Sequence, residues 1–158
     1  MVLALDPGTS ETAYVFMNKH GEIGSFGLTS NIEMIGIIKL ESTFTNLVIE
    51  EVRCYGMAVG KDVFETIKWT GRFWEIAAQR SIPVDWIGRK EVMMHWCGSA
   101  KAKDSNLNIA LQDFYGGKGN KKAPGPMYGL NGHTRSALAL AGYWYARYYQ
   151  KEENKINA

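Results

Sequence analysis

The sequence predicts an α/β domain built on a mixed β-sheet covered by helices, and three observations lead there. Short apolar runs open the chain in quick succession, with turn residues between them. Later apolar runs alternate with segments of helical periodicity. All of it falls within 158 residues, the size of one domain, and 46% hydrophobic residues are enough for a sizeable core. The expected order is three strands, a helix, a strand, a helix, a strand, two helices and a final helix.

Each element has its own reason. Residues 2–5 (VLAL) and 12–17 (TAYVFM) are apolar runs of strand length, and NKHG at 18–21 is a turn signal before a weaker strand at 22–27. Ser30-Asn31 offers an N-cap to a short helix over 32–40. Residues 46–52 (NLVIEEV) form another buried strand with carboxylates near its end. A long helix is expected over 60–80, with Val63, Phe64, Ile67, Trp74 and Ala78 as its core-facing stripe. Gly71 inside it costs about 1 kcal/mol relative to Ala, which points to close packing or a ligand there. Ser81-Ile82-Pro83 ends that helix, VDWI at 84–87 is a strand, and helices follow near 89–97 and 105–115. Residues 116–132 hold six glycines, two prolines and three lysines, so a flexible loop that packs against nothing is expected. The last helix spans roughly 132–150, with Trp144 and Tyr148 read as core and Tyr143, Tyr145 and Tyr149 left open. The tail after it is expected to be frayed.

Charge and cysteines narrow the class only a little. The net charge of +2 is mildly basic and does not by itself imply a nucleic-acid partner. Cys54 and Cys97 belong to no Cys-x-x-Cys pair. His95 and Cys97 lie two apart on a predicted helix, on different faces, so a zinc site is not expected. Two scattered cysteines read as free thiols of a reducing compartment. No stretch approaches 18 apolar residues and no signal-peptide pattern opens the chain, so the expectation is a cytoplasmic protein without membrane contact.

Two strands end in acid: Asp6 after VLAL, and Glu50-Glu51 after LVI. In an α/β sheet, reactive groups gather at strand ends and helix starts. A carboxylate ending a central strand is costly unless something pairs with it, and a divalent cation is a sufficient partner. Strand alternation sends Glu50 and Glu51 to opposite faces, so only one of them faces Asp6. Further ligands are expected in the first turn of the last helix, at Asn131-Gly132-His133-Thr134-Arg135-Ser136.

These motifs, taken in order, resemble the RuvC branch of the ribonuclease H-like superfamily. LALDPGTSETAY is similar to that family's opening strand, which ends in a catalytic Asp before Pro-Gly. LVIEEV resembles its second motif, a strand ending in Ile-Glu, and HTRSALALAGYW its last, a helix start running into Ala-Leu-Ala. The resemblance covers nearly the whole chain. It implies a five-stranded mixed sheet with helices on both faces, spanning residues 1–158 as one nuclease domain. It further implies Mg²⁺- or Mn²⁺-dependent cleavage of DNA, a homodimer, and paired nicks in four-way (Holliday) junctions, in a bacterial or phage-infected cell. The chain departs from the pattern in its last motif. Alignment puts Ser136 where the family's final Asp stands and His133 where the first stands. A His there also resembles the split nuclease domain of CRISPR effectors and some phage-type members. The expected site is Asp6, Glu50 and His133, with Glu51 and the Ser136 position as further candidates. The preferred ion leans towards Mn²⁺, which accepts imidazole more readily than Mg²⁺ does.

Three clusters could hold a phosphate backbone: Arg53 with Tyr55, Lys101 with Lys103, and Lys118, Lys121 and Lys122 in the glycine-rich loop. Tyr55 could stack on an unpaired base. Arg72, beside Gly71, could meet a phosphate or a dimer partner. Two other functions stay open. One is a ribonuclease H-like nuclease for hybrids or flaps, and the other is a junction-binding protein weakened by Ser136.

Overall fold

The computed structural model describes residues 1–56 and 58–149. The expected tail beyond Tyr149 lies outside them. The chain folds as β1 (Val2–Pro7), β2 (Glu11–Met17), β3 (Ile23–Ser30), α1 (Asn31–Leu40), β4 (Asn46–Glu51), α2 (Lys61–Gln79), β5 (Val84–Gly88), α3 (Arg89–Cys97), α4 (Asp104–Tyr115) and α5 (Gly132–Trp144), which runs into a π-helical turn (Tyr145–Tyr149). The five strands form one sheet in the order β3-β2-β1-β4-β5. β1, β2 and β3 pair antiparallel as a meander, while β4 and β5 join parallel to β1.

The two-residue period of the strands divides the core into two layers. Leu3 and Leu5 of β1 and Leu47 and Ile49 of β4 face α1 and α2, meeting Met34, Ile38, Phe73 and Ala77. Val2, Ala4 and Val48 face the opposite way, against α3, α4 and α5. By the same alternation Asp6 and Glu50 belong to the α5 face and Glu51 to the α2 face. α5 is buried over most of its length, because AlaLeuAlaLeuAla lets its backbone lie close on β1 and β2. Gly142 helps: a Cβ there would stand 2.5 Å from the Tyr115 hydroxyl and 2.7 Å from the Trp96 ring. Ser30 caps α1 with a reciprocal bond from Glu33, as the Ser30-Asn31 signal predicts.

Four expectations need correction. α2 buries Thr66, Thr70, Phe73 and Ala77, whereas Phe64, Ile67 and Trp74 are 56%, 44% and 50% exposed. The helix carries two apolar stripes, and periodicity cannot say which one the sheet takes. Space for a Cβ at Gly71 is open, so close packing does not explain that glycine. The glycine-rich segment is not unpacked throughout: Met127 and Leu130 are buried in the α5-side core, and Gly119 bridges Pro124. Tyr148 is 42% exposed, its ring stacked on Trp144, which is buried as expected and donates from its indole to Asp85 at 2.6 Å. Cys54 and Cys97 are free thiols. No helix among the described residues is long and apolar enough to cross a membrane.

Candidate active site

The parallel register between β1 and β4 pairs Leu5 with Ile49, so Asp6 and Glu50 come next, side by side at the same edge of the sheet. Beyond Asp6 the chain must turn sharply into β2. Gly8 donates its N–H to the Glu11 carbonyl at 2.9 Å, and a Cβ on Gly8 would stand 2.7 Å from that oxygen. Asn31 pins the turn from α1 by donating to the Gly8 carbonyl at 3.1 Å and accepting from the buried Thr12 hydroxyl at 2.6 Å. The small residues at 7–10 therefore fix a tight bend while leaving the flank of Asp6 open.

α5 supplies the third wall. Asn131 caps it by accepting from the Thr134 N–H at 3.1 Å, which sets His133 in the first turn. The His133 Nδ1 lies 3.2 Å from Asp6 Oδ2, with the imidazole mostly exposed and the carboxylate mostly covered. Burial pushes the Asp6 carboxyl up, opposed by His133 and Arg89. The Glu50 carboxyl is pushed up to about 7, first by burial and then by the Asp6 charge, with Arg89 opposing both. Two grooves meet at Asp6. One, of about 280 Å³, runs along the 6–11 turn past Leu28 to His133. The other, of about 360 Å³, runs along Glu50, Arg53 and Tyr55 to Arg89.

The structure thus places Asp6 beside both Glu50 and His133 and leaves the other two candidate ligands out. Glu51 is held by Arg53, which also bonds Glu91 at 3.0 Å. The Ser136 hydroxyl turns back to donate to the Gly132 carbonyl at 3.4 Å. Sequence reasoning missed Arg89. It opens α3 directly after β5 and lies 3.6 Å from Glu50 Oε1 while bonding Asp104 on its other side. The rule that singled out Asp6 and Glu50, reactive groups at strand ends, would have found it had basic residues been included.

Among the described residues no three His, Cys, Asp or Glu side chains already converge as a metal cage. The donor chemistry nevertheless fits a divalent cation. Two adjoining, poorly solvated carboxylates lack a full counter-charge, and an imidazole stands on one of them. One Asp6 oxygen lies 3.2 Å from His133 Nδ1, and one Glu50 oxygen lies 3.6 Å from Arg89 Nη1.

The expected DNA contacts fall into two groups. Lys101 and Lys103 precede α4, and Lys118, Lys121 and Lys122 lie in the 116–130 segment; all five are exposed and none has a carboxylate partner among the described residues. Arg53 and Tyr55 line the second groove. Tyr55 takes a positive φ of 29° and lies under the Lys90 ammonium, 3.5 Å from its ring centroid. Arg72 is apart from the site residues, its guanidinium 4.3 Å above the Trp69 ring on α2.

No protein-family model and no curated protein sequence matches the chain. Solved structures do. Thermus thermophilus RuvC superimposes with a TM-score of 0.65 at 17% identity, covering 92% of this chain and 95% of that one. The same enzyme in complex with Holliday junction substrate gives 0.65, 17%, 92% and 94%. The yeast mitochondrial Holliday junction resolvase Ydc2 gives a TM-score of 0.62 at 13% identity, covering 98% of this chain and 82% of that one. A five-stranded mixed sheet in this order, helices on both faces and these three superpositions give the chain the ribonuclease H-like fold of the RuvC-type resolvases.

Proposed function

We propose that the protein is a divalent-metal-dependent, structure-selective DNA endonuclease that resolves four-way junctions by paired phosphodiester hydrolysis as a homodimer. The observation that carries this is Asp6, where two open grooves join, standing beside Glu50 in one and His133 in the other. The names of the structural neighbours, two of which specify Holliday junctions, support the substrate class.

Asp6 and Glu50 would hold the ion, Mg²⁺ or Mn²⁺, with His133 the nearest third donor. Bound there, a divalent cation polarises a phosphate and acidifies water. If Nδ1 instead stays on Asp6 and off the ion, Nε2 is the ring nitrogen left to take a proton from the attacking water. The exposed lysines at 101, 103, 118, 121 and 122 would track phosphates on either side. Arg53, with Tyr55 raised on its turn, would meet the branch point.

The dimer reading rests on the exposed stripe of α2. Ile67, which lies between Phe64 and Trp74 on that stripe, lines a groove with Gly71 and with Trp86 of edge strand β5. Contiguous exposed apolar surface of this kind marks an interface more often than bare solvent contact.

The test is a labelled four-way junction incubated with Mg²⁺ or Mn²⁺. The parent cuts it with paired nicks, ahead of RNA–DNA hybrids and flaps. Asp6→Asn abolishes cutting and keeps junction binding. An Asn variant that cuts at the parent's rate removes Asp6 from the chemistry, and a parent that prefers hybrids or flaps overturns the substrate.

A further inference from the structure

Arg89 is the unexplained charge in this site. It leads α3, straight from the end of β5, and its guanidinium reaches two carboxylates at once. On the inner side is Glu50, 3.6 Å from Nη1. On the outer side is Asp104, the first residue of α4, bonded through Nη2. The two contacts are unequal. The inner one is longer than a hydrogen bond and the outer one is a close, charge-assisted bond. A guanidinium stays charged at any working pH. Near Glu50 and Asp6 it therefore supplies a fixed positive charge that is held from outside and only leans on the site.

We infer that Arg89 is a positioning residue of the metal site: it serves as the counter-charge of Glu50 when no metal is bound, and yields that carboxylate to an arriving divalent cation while Asp104 keeps it tethered. This rests on the metal-dependent reading above. The geometry explains the sign of each effect. A guanidinium and a metal ion on one carboxylate repel, so Arg89 weakens metal binding. Without either cation, two poorly solvated carboxylates face the groove and repel phosphate, so Arg89 strengthens metal-free DNA binding.

Two titrations on the purified protein test this. Calorimetry with Mn²⁺ alone reads the first effect: Arg89→Gln binds the ion several-fold more tightly than the parent. Fluorescence anisotropy with a four-way junction in EDTA reads the second: the same variant binds several-fold more weakly. A residue that merely supported the fold would lower both affinities. Asp104→Asn provides an arm of opposite sign, because an untethered Arg89 settles on Glu50. Mn²⁺ affinity then falls, and the Arg89→Gln/Asp104→Asn double variant recovers it. Mn²⁺ affinity in Arg89→Gln equal to or below the parent's overturns the role. If neither the parent nor Arg89→Gln binds Mn²⁺, the metal site falls, and this role with it.

Discussion

Burial and the Asp6 charge push the Glu50 carboxyl from 4.5 to about 7, and that shift has a measurable sign. Between those two pH values the folded protein keeps a proton that the unfolded chain has released. Protonation therefore favours the fold. The contribution is full below about 4.5 and lost by about 7, on the order of 3 kcal/mol. In EDTA, the melting temperature should fall by about 5–10 °C as pH rises across this window. Glu50→Gln should flatten much of that slope; a slope unchanged by the substitution would mean Glu50 is better solvated than its surroundings imply. At this scale Asp6, Glu50 and His133 were legible because each ends a strand or begins a helix. Strand alternation said that only one of Glu50 and Glu51 faces Asp6, and the resemblance chose Glu50. Arg89 was missed because only acids were sought at element ends, and its bond to Asp104 joins two helices that no local pattern links.

At the scale of elements, α2 shows what periodicity leaves undecided. Its inner face is threonine, phenylalanine and alanine, and its outer face holds the larger apolar side chains. The expected core stripe is the exposed one, because a helix with a second surface to cover reads like a helix with one. Ile67→Glu places a charge in the middle of that outer stripe, where no buried neighbour suffers. It should convert a dimer to monomer in sedimentation velocity and leave the melting temperature of the monomer within a few degrees. A dimer unchanged by Ile67→Glu would put the interface on another face. The 116–132 segment fails for a related reason. Its glycines and lysines set the composition, and that composition hid Met127 and Leu130, two apolar anchors at its far end.

Over the whole molecule, the five exposed lysines lie in two segments of the sequence, before α4 and before α5. That arrangement is why net charge carried so little information. Junction affinity should fall steeply with salt, and replacing each phosphate-contacting lysine by Gln should reduce the slope of log K against log salt by about 1. A slope untouched by all five replacements would route the DNA elsewhere. Element order, sheet and layering were readable from the sequence, since the meander and the later alternation of strands and helices admit few arrangements.

The contact between Asp6 and His133 joins residues 127 apart in the chain. Pairings so remote form only after the elements between them have closed on one another. Asp6 emerges early in synthesis and meets His133 only when α5 has docked on β1 and β2. A half-made or partly unfolded chain thus carries the carboxylates without the assembled centre. Folding itself would then be the safeguard: in the proposed nuclease, the ability to break a DNA strand would arrive with the completed core, and loosening α5 from the sheet would withdraw it.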